Sequence, residues 1–174
     1  MKKTNLLLIV AISLILLLAR LIPHVPNFSP LASVLLFAGV YAKDKRYLLI
    51  PLVALFVSDL FLGFYKLEIM LSVYISLALI GLVGVIVKKN KNILNIITGS
   101  MGAAILFFLV TNFAVWYFGA WYPNTLSGLA LCYSLAIPFF KSTLISNLFY
   151  TSVLFGTYEM ALYFYQQRIL AKSR

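Results

Sequence analysis

Six long apolar segments, separated by short polar or basic clusters, make up most of this chain. Their approximate ranges are 6–22, 28–42, 47–64, 69–87, 93–118 and 138–165. A helix needs about 20 mostly apolar residues to cross a bilayer, and about 17 is the practical minimum. The pattern therefore predicts an all-α integral membrane protein, a compact bundle of about six transmembrane helices that forms one domain over residues 1–174.

Composition supports this class and decides how the charge is interpreted. Hydrophobic residues make up 63% of the chain and charged residues 10%, whereas soluble domains are about one-quarter charged. The formal net charge is +10, but the Lys and Arg residues form short clumps between apolar segments instead of one basic face. The charge therefore indicates membrane topology, and no nucleic-acid partner is expected.

The positions of Lys and Arg predict the orientation. When alternate connections are assigned to opposite sides, one side carries eleven basic residues and the other carries three. The larger set is Lys2, Lys3, Lys43, Lys45, Arg46, Lys88, Lys89, Lys91, Arg168, Lys172 and Arg174, and the smaller set is Arg20, Lys66 and Lys141. Cytoplasmic loops carry an excess of Lys and Arg, so both chain ends are predicted to lie in the cytoplasm.

The second apolar segment is too short to span a bilayer alone. From Pro30 to Ala42 it has 13 residues, about 20 Å of helix against a bilayer core of about 30 Å. Pro23, Pro26 and Pro30 lack amide hydrogens and disfavour helix in the residues before them. Irregular backbone at membrane depth is tolerated where protein covers it or where it lines a wet cavity. We therefore expect a re-entrant proline-rich loop on the outer side, next to an outward-facing cavity.

Three polar residues lie inside otherwise apolar segments. At the helical rise, Asp59, Asn112 and Asn147 each lie about 8 to 10 Å below the outer surface. A carboxylate inside a membrane should face the bundle interior or water. These residues therefore predict a ligand site. Alternatively, the two asparagines form interhelical hydrogen bonds, and Asp59 is the buried partner of Arg20 or Lys141.

The candidate substrate-binding site also includes residues of the outer loops. The full set is His24, Asn27, Asp59, Asn112, Trp116 and Asn147. His24 is the one histidine of the chain, so no second histidine stands at metal-ligand spacing from it. Its alternative role is that of a loop residue that caps or hydrogen-bonds locally. Trp116 belongs to an aromatic group that indicates an interfacial belt or stacking on a flat ligand. Glu159 is expected to pair with an inner-loop base such as Arg46.

Catalytic signatures are absent from the sequence. It contains no nucleophile elbow, HExxH motif, phosphate-binding glycine loop or pair of carboxylates on one helix. The chain is therefore not expected to be an enzyme, and no cofactor or metal is expected. A third hypothesis, a membrane enzyme that acts on a lipid headgroup, requires Asp59 to meet His24.

Several motifs resemble those of a known family. They are PHVPNFSP at 23–30, LFAGVY at 36–41, Pro51 followed by SDL at 58–60 and Gly63, LVTNFAVW at 109–116, and Tyr133 followed by IPFF at 137–140. From about residue 20 to residue 156, the chain resembles the DUF6580 family of small bacterial membrane proteins, which are regarded as transport proteins. That family is similar in size and layout to the substrate-binding S components of energy-coupling-factor (ECF) transporters, which take up vitamins and related micronutrients.

This resemblance implies a function, a location and partners. It implies a multi-pass protein of the bacterial cytoplasmic (inner) membrane that binds a small organic micronutrient and works with a transmembrane coupling subunit and two ATPases. S components usually carry an Ala-x-x-x-Ala motif on their first helix, whereas here Ala11 and Ala19 are eight apart. A transporter that works without a coupling subunit therefore remains an alternative. The alternative function is a membrane structural or assembly subunit without transport activity.

Overall fold

A computed structural model describes residues 2–22 and 26–172 of the protein, and helices account for most of them. The bounds are α1 Lys2–Leu21, α2 Leu31–Tyr41, α3 Leu49–Leu62, α4 Leu67–Val87, α5 Ile93–Phe118 and α6 Leu126–Lys172. No strand occurs in the described part of the chain. The predicted all-α class is therefore confirmed.

Three helices are long and apolar enough to cross a membrane. Among the described residues they are Leu67–Asn90, Ile93–Phe118 and Leu126–Ala171, judged by length and composition. Two shorter apolar helices are Leu6–Leu21 and Leu31–Tyr41, and α3 has 14 residues. These helices indicate a membrane protein, while six crossings and the orientation stay predictions.

α2 is a short helix at the centre of the bundle. Its 11 residues span about 16 Å, and residues 32–40 are buried. It contacts each of the other five helices described, which is the environment expected for a helix that is apolar on all sides. α2 begins directly after Pro30 and ends at Tyr41. It is therefore shorter than the predicted range of 28–42 and does not cross a bilayer core by itself.

Glycines bring the backbones of α2 and α4 into contact. A Cβ atom added to Gly39 would lie 2.2 Å from the carbonyl oxygen of Gly81 and 2.8 Å from Cα of Gly84. A Cβ atom added to Gly84 would lie 2.4 Å from the carbonyl oxygen of Leu36. Small residues permit this close approach of membrane helices, so α2 is held against α4 along a glycine seam.

α6 is longer than the sequence predicted. Its 47 residues begin at Leu126, twelve residues before the predicted start at 138. The predicted start lay at Pro138, but the helix continues through this residue. A membrane helix tolerates the lost hydrogen bond when neighbouring groups compensate. At the helical rise, α6 is about 70 Å long, more than twice the thickness of a bilayer core.

The connections between helices distinguish two ends of the bundle. Lys66 Nζ donates a hydrogen bond to the carbonyl oxygen of Phe118, which brings the α3–α4 connection beside the end of α5. This end, which carries residues 26–30, 63–66 and 119–125, is the proline end. Lys88 Nζ donates to the carbonyl oxygen of Ala42 at the opposite end. Residues 42–48 and 88–92 form this basic end.

Candidate functional site

A cavity of about 290 Å³ lies at the proline end, above the start of α2. All six helices and the loop before α2 contribute to its wall. The polar lining residues are Arg20, Asn27, Ser29, Asp59, Tyr65, Thr143 and Asn147, and the apolar ones are Leu31, Ala32, Leu55, Leu62, Val73, Leu77 and Phe107. The cavity thus combines equal numbers of polar and apolar lining residues, and small-molecule sites likewise combine an apolar wall with convergent polar groups.

Asp59 is the most buried charge of the cavity, and its carboxylate is fully engaged. The residue is 3% exposed, and its Oδ1 forms an ion pair of 2.9 Å with Arg20 Nη2. The Tyr74 hydroxyl donates to its Oδ2 at 2.6 Å. Of the two partners considered from the sequence, Arg20 is the one found and Lys141 is not. A role for Asp59 in recognising a ligand stays a prediction.

Arg20 is the residue that sequence reasoning missed. The sequence analysis treated it as a topology signal and as an alternative partner of Asp59 but not as a site residue, whereas it lines the cavity and its Nη1 donates to Ser58 Oγ at 2.7 Å. A guanidinium carries five N–H donors, so the bonds to Asp59 and Ser58 leave further donors at the cavity wall. The signal that could have identified it is its position near the end of an apolar helix, since an intramembrane arginine requires a partner.

Tyr65 lies in the connection between α3 and α4 and lines the cavity. Burial raises the pKa of its hydroxyl, the negative charge of Asp59 raises it further, and Arg20 partly opposes the change. The net effect raises the pKa, which favours the protonated form. Tyr65 therefore remains a neutral hydroxyl, able to donate a hydrogen bond, well beyond neutral pH.

Asn147 lines the cavity, and its side-chain amide is buried without a hydrogen-bond partner among the described residues. The residue is 2% exposed, and its backbone carbonyl oxygen accepts a hydrogen bond from Ser33 Oγ at 3.0 Å. Its side-chain Nδ2 has no hydrogen-bond acceptor among the described residues. A buried polar group without a partner costs about 1 to 3 kcal/mol. Asn147 is therefore a candidate ligand-binding residue.

The loop before α2 forms part of the cavity wall and is non-helical over residues 26–30. Asn27 has a φ of 59°, a left-handed conformation that asparagine tolerates better than most residues. Ser142 Oγ and Ser146 Oγ of α6 donate to the carbonyl oxygens of Pro26 and Ser29 at 2.9 and 2.8 Å. These bonds satisfy irregular backbone, as an apolar environment requires. His24 lies outside the described residues.

The N-terminus of α2 faces the same cavity, because Leu31 and Ala32 line it. The first-turn N–H groups of a helix have no partner within the helix and carry a partial positive charge. The Leu31 N–H donates to Ser29 Oγ over a long distance of 3.4 Å. The helix end therefore adds to the electropositive, donor-rich character of the cavity floor.

Asn112 and Trp116 are not among the residues that line this cavity. Asn112 Nδ2 donates to the carbonyl oxygen of Phe108 in its own helix at 2.8 Å. Trp116 Nε1 donates to the carbonyl oxygen of Pro123 at 3.0 Å. The structure thus brings together Asn27, Asp59 and Asn147 of the predicted site. Matched depth did not determine which face of α5 carries Asn112.

Glu159 lies at the other end of the bundle, with different partners from the one expected. It pairs with Lys91 instead of Arg46 and accepts a hydrogen bond from the Tyr41 hydroxyl. Lys91 Nζ also lies 5.1 Å from the centroid of the Tyr41 ring. The contacts connect α2, the start of α5 and α6 at the basic end.

Comparison with known proteins adds one finding. The model of a family described as a family of unknown function (DUF6580) matches residues 1–170. The matched range contains every residue that lines the cavity. No curated protein and no solved structure matches the chain.

Proposed function

The chain belongs to the DUF6580 family, and we propose that it is an uptake protein that binds a small organic molecule in the cavity at the proline end. The proposal includes a similarity to the S components of ECF transporters and a ligand of the vitamin or micronutrient class. It also places the basic end in the cytoplasm, because Lys and Arg concentrate in cytoplasmic loops. The cavity then opens to the outside in a bacterial inner membrane.

The chemistry of the cavity supports a ligand that accepts hydrogen bonds. Both oxygens of Asp59 are engaged by Arg20 and Tyr74, whereas Asn147 Nδ2 has no acceptor among the described residues. Arg20 keeps further N–H donors, and the N-terminus of α2 adds a partial positive charge. A carboxylate or a carbonyl group matches these donors. The apolar walls match an apolar body on the same molecule.

The size of the cavity supports a small ligand. Its volume of about 290 Å³ lies just below the range of roughly 300 to 1,000 Å³ that small-molecule sites occupy. A molecule of a few rings or a short chain with one polar head fits this volume. A peptide or a complete phospholipid does not.

The unpartnered amide of Asn147 is the single observation that carries this proposal. The test is mass spectrometry of small molecules that co-purify with the protein in mild detergent, for the wild type and for Asn147→Leu. Leucine has a similar volume and removes the donor. We expect the wild type to retain a small acceptor-bearing molecule and Asn147→Leu to lose it.

Asn112→Leu is the matched control, because the Asn112 amide bonds within its own helix and does not line the cavity. This variant should retain the molecule. If the wild type retains no small molecule, or if both variants lose or keep it equally, the binding proposal fails. A structural or assembly subunit then becomes the better explanation.

A further inference from the structure

A second cavity, of about 420 Å³, opens at the basic end between α5 and α6. It extends from the exposed Lys91 and the half-exposed Glu159 to Thr151, which is buried. Ile96 and Phe155 form part of its apolar wall. This cavity and the one at the proline end thus lie at opposite ends of the bundle.

Three buried hydroxyl side chains lie in contact with one another on α2, α5 and α6. Thr151 Oγ1 of α6 lies 3.1 Å from Ser33 Oγ of α2 and 3.1 Å from Ser100 Oγ of α5. Ser33 Oγ in turn donates to the carbonyl oxygen of Asn147, which lines the proline-end cavity. Asn147 and Thr151 are one helical turn apart, about 6 Å along α6. Hydrogen bonds through small polar side chains therefore connect the walls of the two cavities.

The contacts that α2 makes with α4 differ from those that it makes with α6. α2 is held to α4 by backbone contacts at Gly39 and Gly84, which leave no room for sliding. At this level α6 contacts α2 through the hydrogen bonds that Ser33 makes with Asn147 and Thr151 and through packed rings. α6 also lacks one helical hydrogen bond at Pro138, where helices bend most readily. α6 is therefore the better candidate to move relative to the α2–α4 pair.

An ion pair lies across the mouth of the basic-end cavity. Glu159 pairs there with Lys91, and both side chains are more than one-third exposed. Exposed ion pairs contribute little to stability because water and salt screen them. The ion pair therefore opens at low cost when α6 moves, and the hydrogen bond from the Tyr41 hydroxyl to Glu159 must break with it.

We propose that the two cavities form one translocation path through this chain, and that Ser33, Ser100 and Thr151 are the barrier between them. The inference rests on the proposed function, because the substrate of the path is the small molecule bound at Asn147. Hydroxyl groups suit such a barrier, since each hydrogen bond that breaks between them is replaced by one to a polar group of the passing molecule. The chain then acts as a permease by itself, and a coupling subunit supplies energy only.

Cysteine accessibility from the two sides of the membrane tests the path. The background is Cys132→Ser, since the native cysteine is buried. Single cysteines replace Thr143 in the proline-end cavity, Thr151 in the barrier and Gly156 in the basic-end cavity, where an added side chain has open space. The probe is a cationic, membrane-impermeant methanethiosulfonate, added to intact cells or to inverted vesicles.

The matched control is Val153→Cys, which lies half a turn from Thr151 on the outer face of α6, where Val153 is 44% exposed. A thiol in lipid does not ionise, so its reaction should be slow from either side. We expect Thr151→Cys to react from both sides at least about tenfold faster than Val153→Cys, because the reactive thiolate requires water. Thr143→Cys should react from outside, and Gly156→Cys from inside.

The outcomes separate the two proposals. If Thr143→Cys reacts from outside while Thr151→Cys reacts from one side only or from neither, the binding cavity stands and the path is rejected. If Thr143→Cys does not react from outside, the outward cavity of the proposed function is itself rejected. Ser100→Cys repeats the barrier test from α5 if Thr151→Cys does not insert.

Discussion

Arg20 of α1 and Asp59 of α3 form a 2.9 Å ion pair that joins the two helices in the wall of the proline-end cavity. Their side chains are 20% and 4% exposed, so the pair is largely removed from water. Removing one partner of a buried pair leaves the other charge uncompensated, a larger loss than the net stabilisation that the pair provides. The pair is therefore a structural connection as well as a part of the cavity.

The first prediction concerns this pair. Asp59→Asn should lower the free energy of unfolding by about 3 kcal/mol, the low end of the range for breaking a buried pair, because Arg20 keeps some contact with water. Thermal unfolding in detergent, without added ligand, measures the effect. The matched control Asp44→Asn removes an exposed carboxylate and should change stability by less than about 1 kcal/mol.

A double variant distinguishes the effect of breaking the ion pair from a general effect of substitutions in the site on stability. Arg20→Met combined with Asp59→Leu removes both charges, so it should recover most of the stability that Asp59→Asn loses. Unchanged stability of Asp59→Asn, with loss of the co-purified molecule alone, would instead make Asp59 a ligand-binding group.

The second prediction concerns the stability of the Asn147 variant. Asn147→Leu removes a buried donor that lacks an acceptor, so the ligand-free variant should be as stable as the wild type or more stable by about 1 kcal/mol. Thermal unfolding of ligand-free samples checks this. A marked loss of stability would mean that the amide has a structural partner, and Asn147 would leave the site.

The third prediction concerns the glycine seam. Gly39→Ala places a methyl group 2.2 Å from a backbone oxygen of α4, and the backbones must separate, so we expect a loss of about 3 kcal/mol. Gly102→Ala is the control, since its added Cβ meets nothing within 4 Å. Alanine is the better helix former by up to about 1 kcal/mol, so this control should not destabilise. Equal stabilities of the two variants would contradict the close contact of α2 and α4.

The fourth prediction concerns topology. Cysteines at positions 66 and 123 of the proline end should react with an impermeant thiol reagent added to intact cells, because the basic end is predicted to face the cytoplasm. Cysteines at 44 and 90 should react only in inverted vesicles. The opposite pattern would reverse the orientation, and a mixed pattern would change the number of crossings.

The parts of the fold that depend on local sequence were predictable. The range of α5 coincides with the apolar segment 93–118, because Asn92 caps the helix by accepting from the N–H of Asn95 and the helix ends at Gly119. The shortness of α2 follows from Pro30 before it. Both features depend on residues within a turn of the helix ends, so no tertiary information is needed.

The parts of the fold that depend on the rotation of each helix about its axis, and on which residues meet across helices, could not be predicted from the sequence. Asn112 has the predicted depth but bonds within α5, because depth along a helix does not specify its direction around the helix axis. The bond between Tyr74 and Asp59 joins α4 to α3, and nothing local to either residue indicates it. The pairing of Glu159 with Lys91 instead of Arg46 is likewise set by how the helices pack.

The central position of α2 constrains how the protein is made. α2 leaves the ribosome before α4, α5 and α6, yet those helices supply much of the surface that buries it. A segment of 11 residues is too short to span the membrane by itself. α2 therefore has no stable position in the membrane until the later helices are synthesised. Ser33, for example, gains its hydrogen-bond partners only when Asn147 and Thr151 arrive. Biogenesis must therefore end with late helices enclosing an early one, and chains stalled before α6 should be preferred substrates of membrane quality control.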